Sequence, residues 1–131
     1  MSTMNRLGNA GNNYQTRAKR VLCLCSAGLL RSPTAANVLH REYGFNTRAA
    51  GVSEDFALVV VDPVLLRWAD EVVCLEQRVK DELDELIRRM ELYPDTASIV
   101  VLDVPDHFEW NDTRLQQIIK EQYAAQQENY L

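Results

Sequence analysis

The stretch Val21-Leu22-Cys23-Leu24-Cys25-Ser26-Ala27-Gly28-Leu29-Leu30-Arg31-Ser32-Pro33-Thr34 constrains this chain more than any other. It opens as a short apolar run, the pattern of a buried strand. It then breaks into small residues at Ser26-Ala27-Gly28, and Ser32-Pro33 offers an N-cap followed by proline in the first helical position. A strand therefore hands over to a helix through a tight loop that starts at Cys25 and ends at Arg31. Such a loop turns backbone N–H groups inward at a helix N-terminus, where the dipole also favours negative charge. With a thiol at its start and a guanidinium at its end, it is expected to be an anion cradle with a nucleophile at its floor. The spacing from Cys25 to Arg31 means little alone; the strand before it and the Ser-Pro helix start after it give it weight.

The rest of the chain alternates strand and helix patterns. Residues 20–25 read as the first strand and Pro33 to Tyr43 as a helix with Ala35, Val38, Leu39 and Tyr43 inward, stopped by Gly44. Phe45 to Ala49 reads as a second strand closed by Gly51. Val52 to Asp62 reads as a loop or helix start, although Phe56-Ala57-Leu58-Val59-Val60-Val61 has strand composition. Pro63 to Ala69 is expected to be helical, Glu71 to Leu75 a buried strand, and Gln77 to Met90 an amphipathic helix on Val79, Leu83, Leu86, Ile87 and Met90. Tyr93-Pro94-Asp95 marks a turn and Ser98 to Val104 a fourth strand. Asp112 then caps a last helix with Leu115, Ile118, Ile119 and Gln122 inward. This order implies an α/β fold, three layers deep, with a central four-stranded parallel sheet. Ligands of such sheets bind beyond the carboxyl ends of the strands, where Cys25, Gly51, Glu76 and Asp106 all fall.

At 131 residues and 47% hydrophobic, the chain supports one core. Residues 19–131 read as a single domain, and residues 1–18, rich in Asn, Gly, Ser and Thr, as a disordered N-terminal arm. A net charge of −5 argues against nucleic acid or an anionic membrane as main partner. Three irregularly spaced cysteines make no disulfide framework, and no apolar run approaches a membrane span. A reducing cytoplasm is expected, which suits a free thiol.

Cys25-x5-Arg31-Ser32-Pro33 after an apolar strand resembles the phosphate-binding loop of the low-molecular-weight protein tyrosine phosphatases. Arg48-Ala49-Ala50-Gly51, Trp68-Ala69-Asp70 leading into Glu71-Val72-Val73-Cys74-Leu75, and Leu102-Asp103-Val104-Pro105-Asp106 follow in the family's order. The likeness spans roughly Lys19 to Gln122 and is greatest to a compact bacterial branch of predicted tyrosine phosphatases. It implies the phosphotyrosine phosphatase I-like fold and cofactor-free hydrolysis of phosphomonoesters, phosphotyrosine among them.

On that reading Cys25 is the nucleophile, and Ser26, Ala27, Gly28, Leu29, Leu30 and Arg31 bind the phosphate. Arg31 matches two phosphate oxygens with its planar fork, and Ser32 steadies the thiolate as a leaving group. Asp106 protonates the departing alcohol and then activates water. Asp103 is the competing acid, disfavoured because it still belongs to the strand. Phe56, His107, Phe108 and Trp110 are candidates for the cleft wall; the three aromatics stack on a substrate ring or plug the core. Cys23 and Cys74 read as core residues, and the cysteine and histidine spacing fits no zinc site. Three positions depart from the family: Gly28 replaces its usual Asn, Leu30 its frequent second Cys, and Ala49 its frequent Ser. Two other readings stay open. One is a phosphocysteine carrier like the sugar-transport IIB proteins, against which Arg31 and Asp106 weigh; the other is a catalytically weak anion-binding regulatory domain. Arsenate reduction would need further redox cysteines.

Overall fold

The computed structural model describes residues 18–26, 31–53, 57, 59–91, 98–105 and 107–128. Four strands, β1 (Arg20–Cys25), β2 (Asn46–Gly51), β3 (Glu71–Cys74) and β4 (Ser98–Val101), form one sheet in the order β2-β1-β3-β4. Every pairing is parallel, with Cys25 opposite Gly51 and Leu24 opposite Cys74. Helices α1 (Arg31–Tyr43), α2 (Pro63–Trp68), α3 (Gln77–Arg89) and α4 (Thr113–Glu128) complete the α/β/α sandwich. No helix among the described residues is long and apolar enough to cross a membrane.

The pleat of β1 sorts its side chains between two cores. Val21, Cys23 and Cys25 join Ala35, Val38 and Leu39 of α1 with Leu115, Ile119 and Tyr123 of α4 on one face. Leu22 and Leu24 join Leu65 and Leu66 of α2 with Val79, Leu83 and Leu86 of α3 on the other. Because β1 is buried on both faces, it reads as a continuous apolar run rather than an alternating one. The helices that follow β1 and β3 thus lie on opposite faces. That makes the carboxyl ends of these two neighbouring strands the topological switch point, where open α/β sheets bind ligands.

Local chemistry accounts for the boundaries. Gly44 stops α1 with a positive φ of 71° and returns its N–H to His40 O. Asp62 caps α2 by accepting from Leu65 N ahead of Pro63, a cap the apolar run around it obscured. Val59 to Val61 follow neither regular pattern: a single bridge pairs Val60 with Gly51, which donates to Val59 O and accepts from Val61 N.

Several expectations need correction. Helix α1 starts at Arg31, so Ser32 and Pro33 lie within its first turn and Ser32 is not the N-cap. Proline costs nothing there, because first-turn N–H groups have no intrahelical partner. Tyr43 is 45% exposed, stacked on Phe45 rather than inward, while Tyr123 fills the position beneath both rings. Strand β4 ends at Val101, so Asp103 lies beyond it; Leu102 and Val104 still donate to Cys74 O and Leu75 O. The Asp103 backbone instead bonds Gln122 through both its N–H and its carbonyl. The turn at Tyr93-Pro94-Asp95 and almost all of the N-terminal arm lie outside the described residues.

Candidate active site

The end of β1 and the first turn of α1 bring Cys25 and Ser32 together. The Cys25 thiol donates to Ser32 Oγ at 3.2 Å, and that hydroxyl donates to Ala50 O of β2 at 3.3 Å. Both residues are buried. The serine hydroxyl therefore has two acceptors within reach once the thiol loses its proton: the Ala50 carbonyl and the sulfur itself. A rotation about one bond redirects its hydrogen onto a thiolate. The strand ends are tied beside it by Val52 N to Cys25 O and Ser53 N to Ser26 O, at 3.0 and 2.9 Å.

Arg31 is also buried and is held from the β3–β4 side of the sheet. Its Nη1 donates to Val104 O at 3.1 Å and its Nη2 to Glu76 Oε1 at 3.3 Å. A buried guanidinium needs such partners, because desolvation without them is costly. Glu76 is the residue just before α3, two places past the end of β3. The same Oε1 accepts from Arg78 Nη2 at 3.4 Å, and Arg78 Nη2 reaches Ser26 Oγ at 3.5 Å.

A second network sets the segment that follows β4. Asn111 has a φ of 59°, and its N–H donates to the buried Thr34 Oγ1 at 2.8 Å. Its Oδ1 accepts from Asn37 Nδ2 at 3.1 Å and its carbonyl from Gln116 Nε2 at 2.7 Å. Helices α1 and α4 thus hold one residue at three atoms. Phe108 is buried in the core with the Arg114 guanidinium 5.2 Å from its ring centre. His107 is exposed, its ring 4.3 Å from that of Phe108, and Trp110 is 56% exposed. Of the aromatics, Phe108 takes the core role. Phe56, Asp106 and the loop residues Ala27, Gly28, Leu29 and Leu30 lie outside the described residues.

Cys23 and Cys74 are buried in opposite cores, as their strand positions suggested. Burial pushes the Cys74 thiol up to about 12, and drives Cys23 up as well, with the Glu71 carboxylate adding to the effect. No group of three His, Cys, Asp or Glu side chains suited to a metal occurs among the described residues.

Sequence reasoning named Glu76 only for its place past a strand end and passed over Arg78, Thr34, Asn37 and Asn111. The signal for Glu76 was available. Two parallel strands neighbouring each other at a switch point bring the residues after both of them together.

No family model and no curated protein matches this chain. Solved structures do. Wzb from Vibrio vulnificus, in complex with benzylphosphonate, superposes with a TM-score of 0.65 at 16% identity over 86% of this chain and 99% of its own. A low-molecular-weight phosphotyrosine phosphatase from Vibrio cholerae O395 gives 0.62 at 16% identity, over 86% and 97%. The YwlE arginine phosphatase from Geobacillus stearothermophilus gives 0.58 at 18% identity, over 86% and 96%. With a Cys-x5-Arg loop leaving its first strand and a four-stranded parallel sheet in three layers, the chain has the fold of the low-molecular-weight phosphotyrosine phosphatases.

Proposed function

We propose that this protein is a cysteine-dependent phosphatase that hydrolyses phosphomonoesters without a metal, phosphotyrosine being the substrate class the resemblance favours. The observation that carries the reading is the Cys25–Ser32–Ala50 relay beside a buried, doubly held Arg31. The reaction divides into two displacements. Cys25 as thiolate attacks phosphorus, the bond to the alcohol oxygen breaks, and Asp106 gives that oxygen its proton. Water then attacks the phosphocysteine, Asp106 takes up a proton from it, and the Cys25 thiolate leaves. Arg31 pairs with two of the phosphoryl oxygens as charge develops on them. Ser32 turns its hydrogen from Ala50 O to the sulfur, stabilising the thiolate before the first step and as leaving group in the second.

The test is hydrolysis of p-nitrophenyl phosphate in the presence of EDTA, with vanadate as inhibitor. Turnover by the native protein is expected to vanish in Cys25→Ser. It is expected to fall at least a hundredfold in Asp106→Asn, the scale of a lost general acid. Phosphotyrosine and phosphoarginine peptides assayed side by side distinguish the two activities named for the structural neighbours. Absence of turnover, with phosphate still protecting Cys25 from alkylation, would leave a phosphocarrier or a binding module.

A further inference from the structure

Arg78 stands at the switch point, in the first turn of α3, and the site just described makes no use of it. Its side chain is 66% exposed, whereas that of Arg31 is 3% exposed, yet both guanidiniums share one oxygen, Glu76 Oε1. Glu76 occupies the N-cap position of α3 but makes no side-chain bond to that helix's own N–H groups. Its carboxylate is turned to the two arginines instead. A cation in the first turn opposes the helix dipole, so the position of Arg78 does not serve α3. Arg78 instead reaches Ser26 Oγ, on the residue next to Cys25.

The charges are unequal: two guanidiniums against one carboxylate leave a surplus of one positive charge. A phosphoryl group on Cys25 engages Arg31, which is buried. Arg78 is then the guanidinium left exposed beside it. Among the described residues both hydrogen bonds of Arg78 run through Nη2 and are long, at 3.4 and 3.5 Å. Nε and Nη1 remain for a ligand, and either of them makes with Nη2, whose own bonds are long, the planar fork that suits a carboxylate or a second phosphate.

We propose that Arg78 is a specificity residue that selects phosphomonoesters carrying a second anionic group next to the phosphate. The proposal rests on the phosphatase reading above. Its substrates are then phosphopeptides with acidic neighbours, or small aryl phosphates bearing a carboxylate.

The test compares matched pairs: a phosphotyrosine peptide flanked by Glu against the same peptide flanked by Gln, and carboxyphenyl phosphate against phenyl phosphate. The readout is the ratio of kcat/KM within each pair. The native protein is expected to favour the acidic member of a pair about tenfold, less at high salt, as a charge-assisted contact at a partly exposed site would give. In Arg78→Gln the ratio collapses toward one, in Arg78→Lys it is partly retained, and in Arg78→Glu it inverts. A preference confined to the peptides assigns the second anion to a protein substrate, and one confined to the aryl phosphates to a small molecule. A native ratio near one, or an Arg78→Gln variant that lowers both members equally, overturns the proposal, since a purely structural role would leave the ratio unchanged. Should the native protein hydrolyse none of the four, the phosphatase reading fails. The same ratios, read as binding to Cys25→Ser by calorimetry, then decide the role of Arg78 separately, and no preferential binding overturns it.

Discussion

Arg31, the first residue of α1, and Glu76, just past the end of β3, meet at 3.3 Å, and the buried Arg31 guanidinium is also bonded to Val104 O. On the proposed reading, the guanidinium that takes the phosphate is thus held in place by the fold itself, the arrangement that makes electrostatic stabilisation effective.

Glu76→Gln keeps an acceptor near Arg31 but removes the charge that orients it. A loss of about tenfold in kcat/KM for p-nitrophenyl phosphate is expected, equivalent to roughly 1.4 kcal/mol of transition-state stabilisation. Arg31→Lys should lose far more, because a single ammonium cannot reproduce the fork. Steady-state kinetics of the two variants checks the order, and a Glu76→Gln enzyme with native kinetics would dismiss the positioning role.

The three cysteines should separate by reactivity. Cys23 and Cys74 lie in the two cores with thiols pushed up by burial, so near neutral pH they carry almost no thiolate, the form that reacts. Iodoacetate at pH 7 is expected to label Cys25 alone in the folded protein, with inorganic phosphate slowing the reaction. Peptide mass mapping before and after denaturation reads this directly.

Tyr123 donates to Glu71 Oε1 at 2.7 Å, and Lys19 completes the partners of that buried carboxylate at 3.0 Å. Removing the hydroxyl in Tyr123→Phe should cost about 1–3 kcal/mol at pH 7, the penalty for depriving a buried carboxylate of a donor. Burial raises the Tyr123 phenol above its ordinary value, and the bond to Glu71 adds to this. The folded state therefore keeps a proton that the unfolded chain releases near pH 10. The stability this contributes is full below pH 10 and declines above it, by up to about 1.4 kcal/mol per pH unit. Cys23 and Cys74 add their own decline from about pH 8.5, in both proteins alike. Denaturation across pH 7 to 11 should thus show the gap between native and Tyr123→Phe narrowing only above pH 10.

Asn111 combines a positive φ with a side-chain bond to Asn37, so its two contributions can be separated. Asn111→Gly loses only the amide contact and should cost about 1 kcal/mol, whereas Asn111→Ala adds roughly another 1 kcal/mol of left-handed backbone strain. Thermal unfolding of the pair checks the difference. Equal losses would mean that the backbone bonds to Thr34 and Gln116 alone set this turn.

The amino-acid sequence by itself determined the order of elements and the loop with its thiol and guanidinium. Those signals are local: a doubly buried strand must be apolar throughout, and a glycine such as Gly44 marks where a helix can end in a left-handed residue. Both helix and strand boundaries at β1 and α3 followed from them to within a residue. Tertiary structure alone decided which distant groups meet. Ser32 reads as a cap and as a partner of Cys25, but the bond of its hydroxyl to Ala50 O of β2 came only with the fold. Gln122 reads as inward on the last helix, but Tyr123 is the buried residue there, its hydroxyl donating to the buried Glu71. Glu76 acquired Arg31 as a partner only when β3 was placed beside β1. Hydrogen bonds between residues so far apart leave no periodicity in a chain, because either partner alone is an ordinary polar residue until strand order brings the two within 3.5 Å of each other.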